Sequence, residues 1–158
     1  MSAELDYDSC RQPAADLATN CSWPWRKSEL DILRDVKRFH RKFGLACPGR
    51  GELRWPSQQY MAFRFKLLRE EVDELEEAFN QRNFSKFARE AVDVVYVAVG
   101  MFVTVGLPFR PLWRAVHRAN MRKELHPTEF RPVKPSGWRS PDEDIEGVVV
   151  RFEDWWAT

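Results

Sequence analysis

The chain has 158 residues, 44% of them hydrophobic and 31% charged, with a net charge of +1. That suits one globular domain with a buried core, and the near-neutral balance argues against a nucleic-acid polymer as partner. The three cysteines, Cys10, Cys21 and Cys47, are odd in number and form no Cys-x-x-Cys; a reduced, cytoplasmic protein is the simplest reading.

Residues 1–27 are mixed and polar, with Pro13 and Pro24 and no period. They read as an irregular N-terminal arm, pinned at Trp23 and Trp25, ahead of a single helical domain over 28–158. The arm lacks the basic start and apolar core of a signal peptide. The longest apolar run, residues 94–107, has 14 residues and includes Tyr96 and Thr104. A membrane span needs about 20, so the run predicts a buried helix and no membrane.

A first helix is expected from Ser28, an N-cap with Asp31 three residues on. Its apolar stripe is Ile32, Val36, Phe39 and Phe43, with His40 at the border. Gly44 ends it. The turn-rich segment 47–51 lacks the Gly-x-x-x-x-Gly-Lys-Ser/Thr spacing of a phosphate loop.

A second helix should start after Pro56-Ser57 and run to about Asn80. Met61, Phe65, Leu68, Val72, Leu75 and Phe79 form its expected core stripe. Lys66, Arg69, Asp73, Glu76 and Glu77 fall on a solvated side, with Arg69 and Asp73 paired at i,i+4. Glu70, Glu71 and Glu74 share a third sector with Phe63, Leu67 and Ala78. Acids interleaved with apolar residues should face protein, where carboxylates are costly unless compensated.

Asn83 is a fair N-cap for a third helix, expected to run to about Val105. The short connection makes the second and third helices antiparallel neighbours. Glu90 and Asp93 have the same i,i+3 spacing as Glu71 and Glu74, so the two pairs can face each other across a cation-sized gap. Hard divalent cations, Mg²⁺ with Mn²⁺ as a substitute, take such oxygen ligands.

After Gly106-Leu107-Pro108 a fourth helix is expected to about Glu124. Phe109, Leu112, Trp113 and Val116 point inward, and Asn120 and Lys123 continue that face. Arg110, Arg114, Arg118 and Arg122 line the other side as a solvated or interface stripe. A loop carries Lys134 and Trp138. Ser140-Pro141-Asp142-Glu143 then has the cap, N1 proline and capping-box acid of a short last helix. Between Pro108 and Arg139 there are eight basic residues and two acids, net +6 beside an acidic centre.

Other carboxylate sites fit less well. A di-iron bundle would want Glu-x-x-His, and no such tetrapeptide occurs. A glycosidase pair needs two acids and no cluster, and an EF-hand loop is absent. What remains is carboxylates collecting metal, opposed by Asn120 and Lys123, which suit phosphate oxygens.

The motifs Glu70-Glu71-x-x-Glu74 and Glu90-x-x-Asp93 resemble the signature of the all-α nucleotide pyrophosphohydrolases, the MazG-like and dimeric dUTPase superfamily. Phe39-His40-Arg41, the segment 117–123 and the segment 134–138 resemble its MazG-like branch, over roughly residues 30–150. The resemblance implies a four-helix-bundle core with a short C-terminal helix. It implies Mg²⁺-dependent hydrolysis of a nucleoside triphosphate to monophosphate and pyrophosphate, in a homodimer or dimer of dimers. By the same resemblance Glu71, Glu74, Glu90 and Asp93 bind metal, and Glu70 orients or deprotonates the attacking water. Asn120, Lys123 and Lys134 hold phosphates.

A dUTP-like base is expected first and a dCTP-like base next, again from the resemblance. Phe39, His40, Trp55 and Trp138 are the aromatic candidates for the base, with His40 for its polar edge. The long arm and Arg122 depart from the pattern. Phosphoribosyl-ATP pyrophosphohydrolase, which shares the architecture, is the alternative enzyme. A noncatalytic helical dimer that binds nucleotide or metal is the alternative outside enzymes.

Overall fold

The structure, a computed structural model, describes residues 31–129 and 131–157. The expected arm, with Cys10, Cys21, Trp23 and Trp25, and the expected helix cap Ser28 lie outside them. The fold is all-α: α1 Ile32–Lys42, α2 Gln58–Asn80, α3 Phe84–Val105, α4 Phe109–Asn120 and α5 Asp142–Ala157, with one small hairpin of β1 Glu124–Leu125 and β2 Pro132–Val133. The chain divides into a helical unit, residues 31–121 with 139–157, and a second unit over 122–138. No described helix is long and apolar enough to cross a membrane.

Local chemistry sets the helix ends. Asp31 is itself the N-cap of α1, its carboxylate accepting from Arg34 N at 3.1 Å. Ser57 caps α2 by accepting from Tyr60 N at 3.2 Å, and Asn83 caps α3 by accepting from Lys86 N at 3.0 Å. Each cap satisfies an amide that the first helical turn leaves without a partner, worth roughly 1 kcal/mol. Gly106 ends α3 at φ 80°, and a Cβ there would meet Glu52 O at 2.1 Å. Only glycine fits both the left-handed backbone and that approach. Arg54 N donates to Val105 O at 3.1 Å, which ties the α1–α2 connection to the same helix end.

Val36, Val99 and Val103 form the buried core between α1 and α3, with Ile32, Leu33, Cys47, Tyr96 and Phe109 packed against it. Burying each valine contributes about 1.5–3 kcal/mol. The α2 face turned to α3 carries Arg64, Glu71 and Ala78, spaced by seven, with Arg64 and Ala78 buried. The expected core stripe is rotated off this interface: Phe65, Val72 and Phe79 are 45%, 46% and 54% exposed. The physical reason is close approach. Ala78 lets the two backbones near each other where Phe79 would hold them apart.

The same substitution of small for large residues sets α4. Its buried positions are Leu112, as expected, with Ala115 and Ala119, whereas Trp113 and Val116, expected inward, are 61% and 39% exposed. Both still line an apolar groove of about 560 Å³ with α3 and α5. Arg110 and Arg118 of the arginine stripe form surface ion pairs with Asp31 and Asp144, at 3.0 and 3.2 Å. The helix stops at Asn120, four residues before the expected end, because Glu124 pairs with Val133 in the hairpin. Helix α5 begins at Asp142 and has 16 residues, longer than its start signal alone suggests.

Candidate active site

Two helices supply the acids. The three-residue link Gln81–Asn83 turns α2 back along α3, so the acid of one helix meets acids one turn apart on the other. Glu71, Glu90 and Asp93 each bring one carboxylate oxygen into a set lying within 4.8 Å of one another. Glu90 is 1% exposed, and its carboxylate contacts the Arg89 guanidinium. Glu71 and Asp93 are half-buried. Burial raises the Glu71 carboxyl above its ordinary range, and the charges of Asp93, Glu74, Glu90 and Glu70 raise it further. Three carboxylates so close repel one another, and one arginine neutralises only part of that charge. An all-oxygen set of this kind suits a hard divalent cation.

The fourth and fifth acids sit differently. Glu74 is exposed on α2, outside the close set but near enough to act on Glu71. Glu70 is exposed and pairs with Lys66 Nζ at 3.3 Å. Asp73, assigned to the solvated side, is also exposed.

A pocket of about 360 Å³ opens beside the acids between α1, α2 and α3, lined by Phe39, His40, Arg64, Leu67, Glu71, Asp93, Tyr96 and Val97. Phe39 and Tyr96 meet edge to face, their ring centroids 5.5 Å apart. His40 is buried, and its Nδ1–H donates to Ala46 O at 2.8 Å. Burial holds the imidazole below its ordinary pKa and the Arg64 charge adds to this, against the opposing pull of that hydrogen bond. A neutral ring with a proton on Nδ1 leaves Nε2 as an acceptor.

Of the residues expected at the base, Phe39 and His40 therefore share a pocket with the acids. Trp55 is not among its lining residues and stands 85% exposed in the α1–α2 connection. Trp138 lies in the second unit, where Lys134 Nζ sits 4.7 Å from its ring centroid. Asn120 is exposed at the last turn of α4, and Lys123 belongs to the second unit.

Two lining residues with polar side-chain groups, Arg64 and Tyr96, carried no functional expectation. The available signal for Arg64 was register: it lies seven residues before Glu71 and fourteen before Ala78, on the one α2 stripe that faces α3.

The family model for phosphoribosyl-ATP pyrophosphohydrolase matches residues 36–120, from the first buried position of α1 to the end of α4. The chain belongs to this family. It is a pyrophosphohydrolase, a hydrolase acting on the phosphoanhydride of a nucleotide. The family lies within the MazG-like all-α superfamily, and the match contains the whole acid cluster and the pocket beside it. No curated protein matches the chain.

Proposed function

We propose that this pyrophosphohydrolase converts a deoxynucleoside triphosphate to its monophosphate and pyrophosphate with the help of Mg²⁺, dUTP being favoured and dCTP next. The observation that carries the reading is the meeting of Glu71, Glu90 and Asp93 within 4.8 Å beside an aromatic-walled pocket that Glu71 and Asp93 help to line. These three would hold the metal, with Glu74 completing the set. When bound, the cation would offset charge on the polyphosphate and sharpen a water nucleophile.

The residues of the chain divide the remaining work. Glu70, exposed one residue before Glu71, would accept a proton from the attacking water once Lys66 releases it. Phe39 and Tyr96 would flank the base, a sequence-tolerant contact because every base has a π-face. Asn120, Lys123 and Lys134 would hold phosphate oxygens.

The working form would be a homodimer or larger. The apolar stripe Phe65, Val72 and Phe79 leaves a face of α2 uncovered in one chain, and a second copy is the partner that would bury it. Light scattering should then give at least twice 18.7 kDa; the monomer mass at micromolar concentration would refute it.

The test of function is a panel of ribo- and deoxynucleoside triphosphates plus dUTP and phosphoribosyl-ATP, with Mg²⁺ or EDTA, ranked by kcat/KM. A leading pyrimidine deoxynucleotide supports the proposal. A lead of tenfold for phosphoribosyl-ATP or a purine triphosphate overturns the substrate, and equal rates with EDTA overturn the metal.

A further inference from the structure

Arg64 is 6% exposed, yet it forms no ion pair with a carboxylate among the described residues. Its one hydrogen bond there is long, Nη2 donating to Val97 O at 3.4 Å, and its buried Nε has no partner among them. A guanidinium has five N–H donors, and a buried cation with so few acceptors is costly. Its position is also provided for. Gly100 of α3 leaves the space: a Cβ there would lie 2.3 Å from Arg64 Nη2 and 3.2 Å from His40 Nε2. Donor and acceptor thus flank a common point, and both residues line the pocket that holds Glu71 and Asp93.

We propose that His40 and Arg64 form the base-reading end of the pocket and select a lactam edge, a ring N–H beside a carbonyl. Nε2 of neutral His40 accepts from the ring N–H, and the Arg64 guanidinium donates to the adjacent carbonyl oxygen. Uracil, thymine, guanine and hypoxanthine present that edge. Cytosine and adenine place an acceptor nitrogen where His40 also offers an acceptor, and an exocyclic amine where Arg64 offers donors. Such a site rejects them on both atoms, because its own buried groups are left without partners.

The spacing agrees. Arg64 and Glu71 lie two turns apart on α2, about 10 Å along its axis. That leaves room for a sugar between the base end and the acids. The inference rests on the nucleotide reading of this pocket and narrows it to dUTP over dCTP.

The experiment compares kcat/KM for two pairs, dUTP against dCTP and dITP against dATP, with calorimetric binding of dUMP and dCMP alongside. In the unaltered protein the lactam member of each pair should lead by at least tenfold. Arg64→Met, of similar length and without donors, should bring each ratio within threefold by lowering the lactam member. His40→Gln, whose amide can either donate or accept, should narrow the ratios by raising the other member. Melting curves confirm that both variants are folded.

Equal rates within each pair for the unaltered protein would overturn the proposal, and the enzyme reading would stand as long as pyrophosphate is released. If Arg64→Met lowers all four substrates by one factor, Arg64 is a counter-charge for the acids and the proposal also fails. If no triphosphate is turned over, the triphosphate reading fails while the dUMP-to-dCMP affinity ratio still decides the base edge, a ratio near one overturning it.

Discussion

Asp93→Asn should make the metal-free protein more stable while removing its activity. The carboxylate oxygens of Glu71, Glu90 and Asp93 lie within 4.8 Å of one another, which at an effective dielectric of about 20 corresponds to roughly 3 kcal/mol of repulsion per ionised pair. The contact of Glu90 with the Arg89 guanidinium reduces this. Removing one charge should therefore leave a gain of about 1–3 kcal/mol after the uncertainty usual for such couplings. For a chain of this size that is a rise in Tm of roughly 3–9 °C.

The assay is thermal melting in EDTA and again with Mg²⁺, with pyrophosphate release measured on the same samples. The variant should melt higher than the parent in EDTA, gain little from Mg²⁺ and turn over no substrate. Asp73→Asn, on the exposed side of α2, should match the parent in all three. An Asp93→Asn protein with an unchanged Tm in EDTA and near-normal turnover would refute the reasoning, and identical behaviour of the two variants would refute the separation of the acids into sectors.

The Glu71 carboxyl is raised above its ordinary 4.5, so its contribution to stability is present below that value and lost as pH rises through the folded one. Melts in EDTA should accordingly show the Glu71 contribution to stability declining as pH rises above 4.5, and Glu71→Gln should flatten that part of the profile; parallel profiles would contradict it. Gly100→Ala should keep the fold, since Arg64 can swing its flexible end away, but should raise KM about tenfold, a loss of about 1.4 kcal/mol; steady-state kinetics showing an unchanged KM would remove Arg64 from the site. Lys123→Ala should lower kcat/KM by about tenfold or more, whereas Arg114→Ala should not change it; kinetics giving the reverse order would move phosphate binding to the arginine stripe.

What was legible in the sequence was local or periodic. Ser57, Asn83 and Gly106 announce helix ends because capping depends on one side chain or one backbone angle. The approach of Glu71 to Glu90 and Asp93 follows from the i,i+3 spacing on α3 and from a three-residue link that makes α2 and α3 antiparallel neighbours, whereas Glu74, expected in the same set, stays outside it. The rotation of α2 was not. Periodicity identifies Met61, Phe65, Leu68, Val72, Leu75 and Phe79 as an apolar face, but not which neighbour covers it. Within the chain the smaller Ala78 wins the contact with α3. Trp113 and Val116 lost to Ala115 and Ala119 on α4 for the same reason. Arg64 escaped because a lone arginine in an amphipathic helix reads as solvated. Its burial follows from Gly100, 36 residues later, and no local pattern links the two.

The central claim is that the acids of α2 and α3 serve cleavage between the α- and β-phosphates of a nucleotide. Phosphorus NMR of dUTP incubated with the protein and Mg²⁺ tests it directly, since it resolves each product. The expected result is dUMP and pyrophosphate in equal amounts, with no orthophosphate, and no reaction with Asp93→Asn. Orthophosphate and dUDP as products, or the same products from the Asp93→Asn protein, would contradict it.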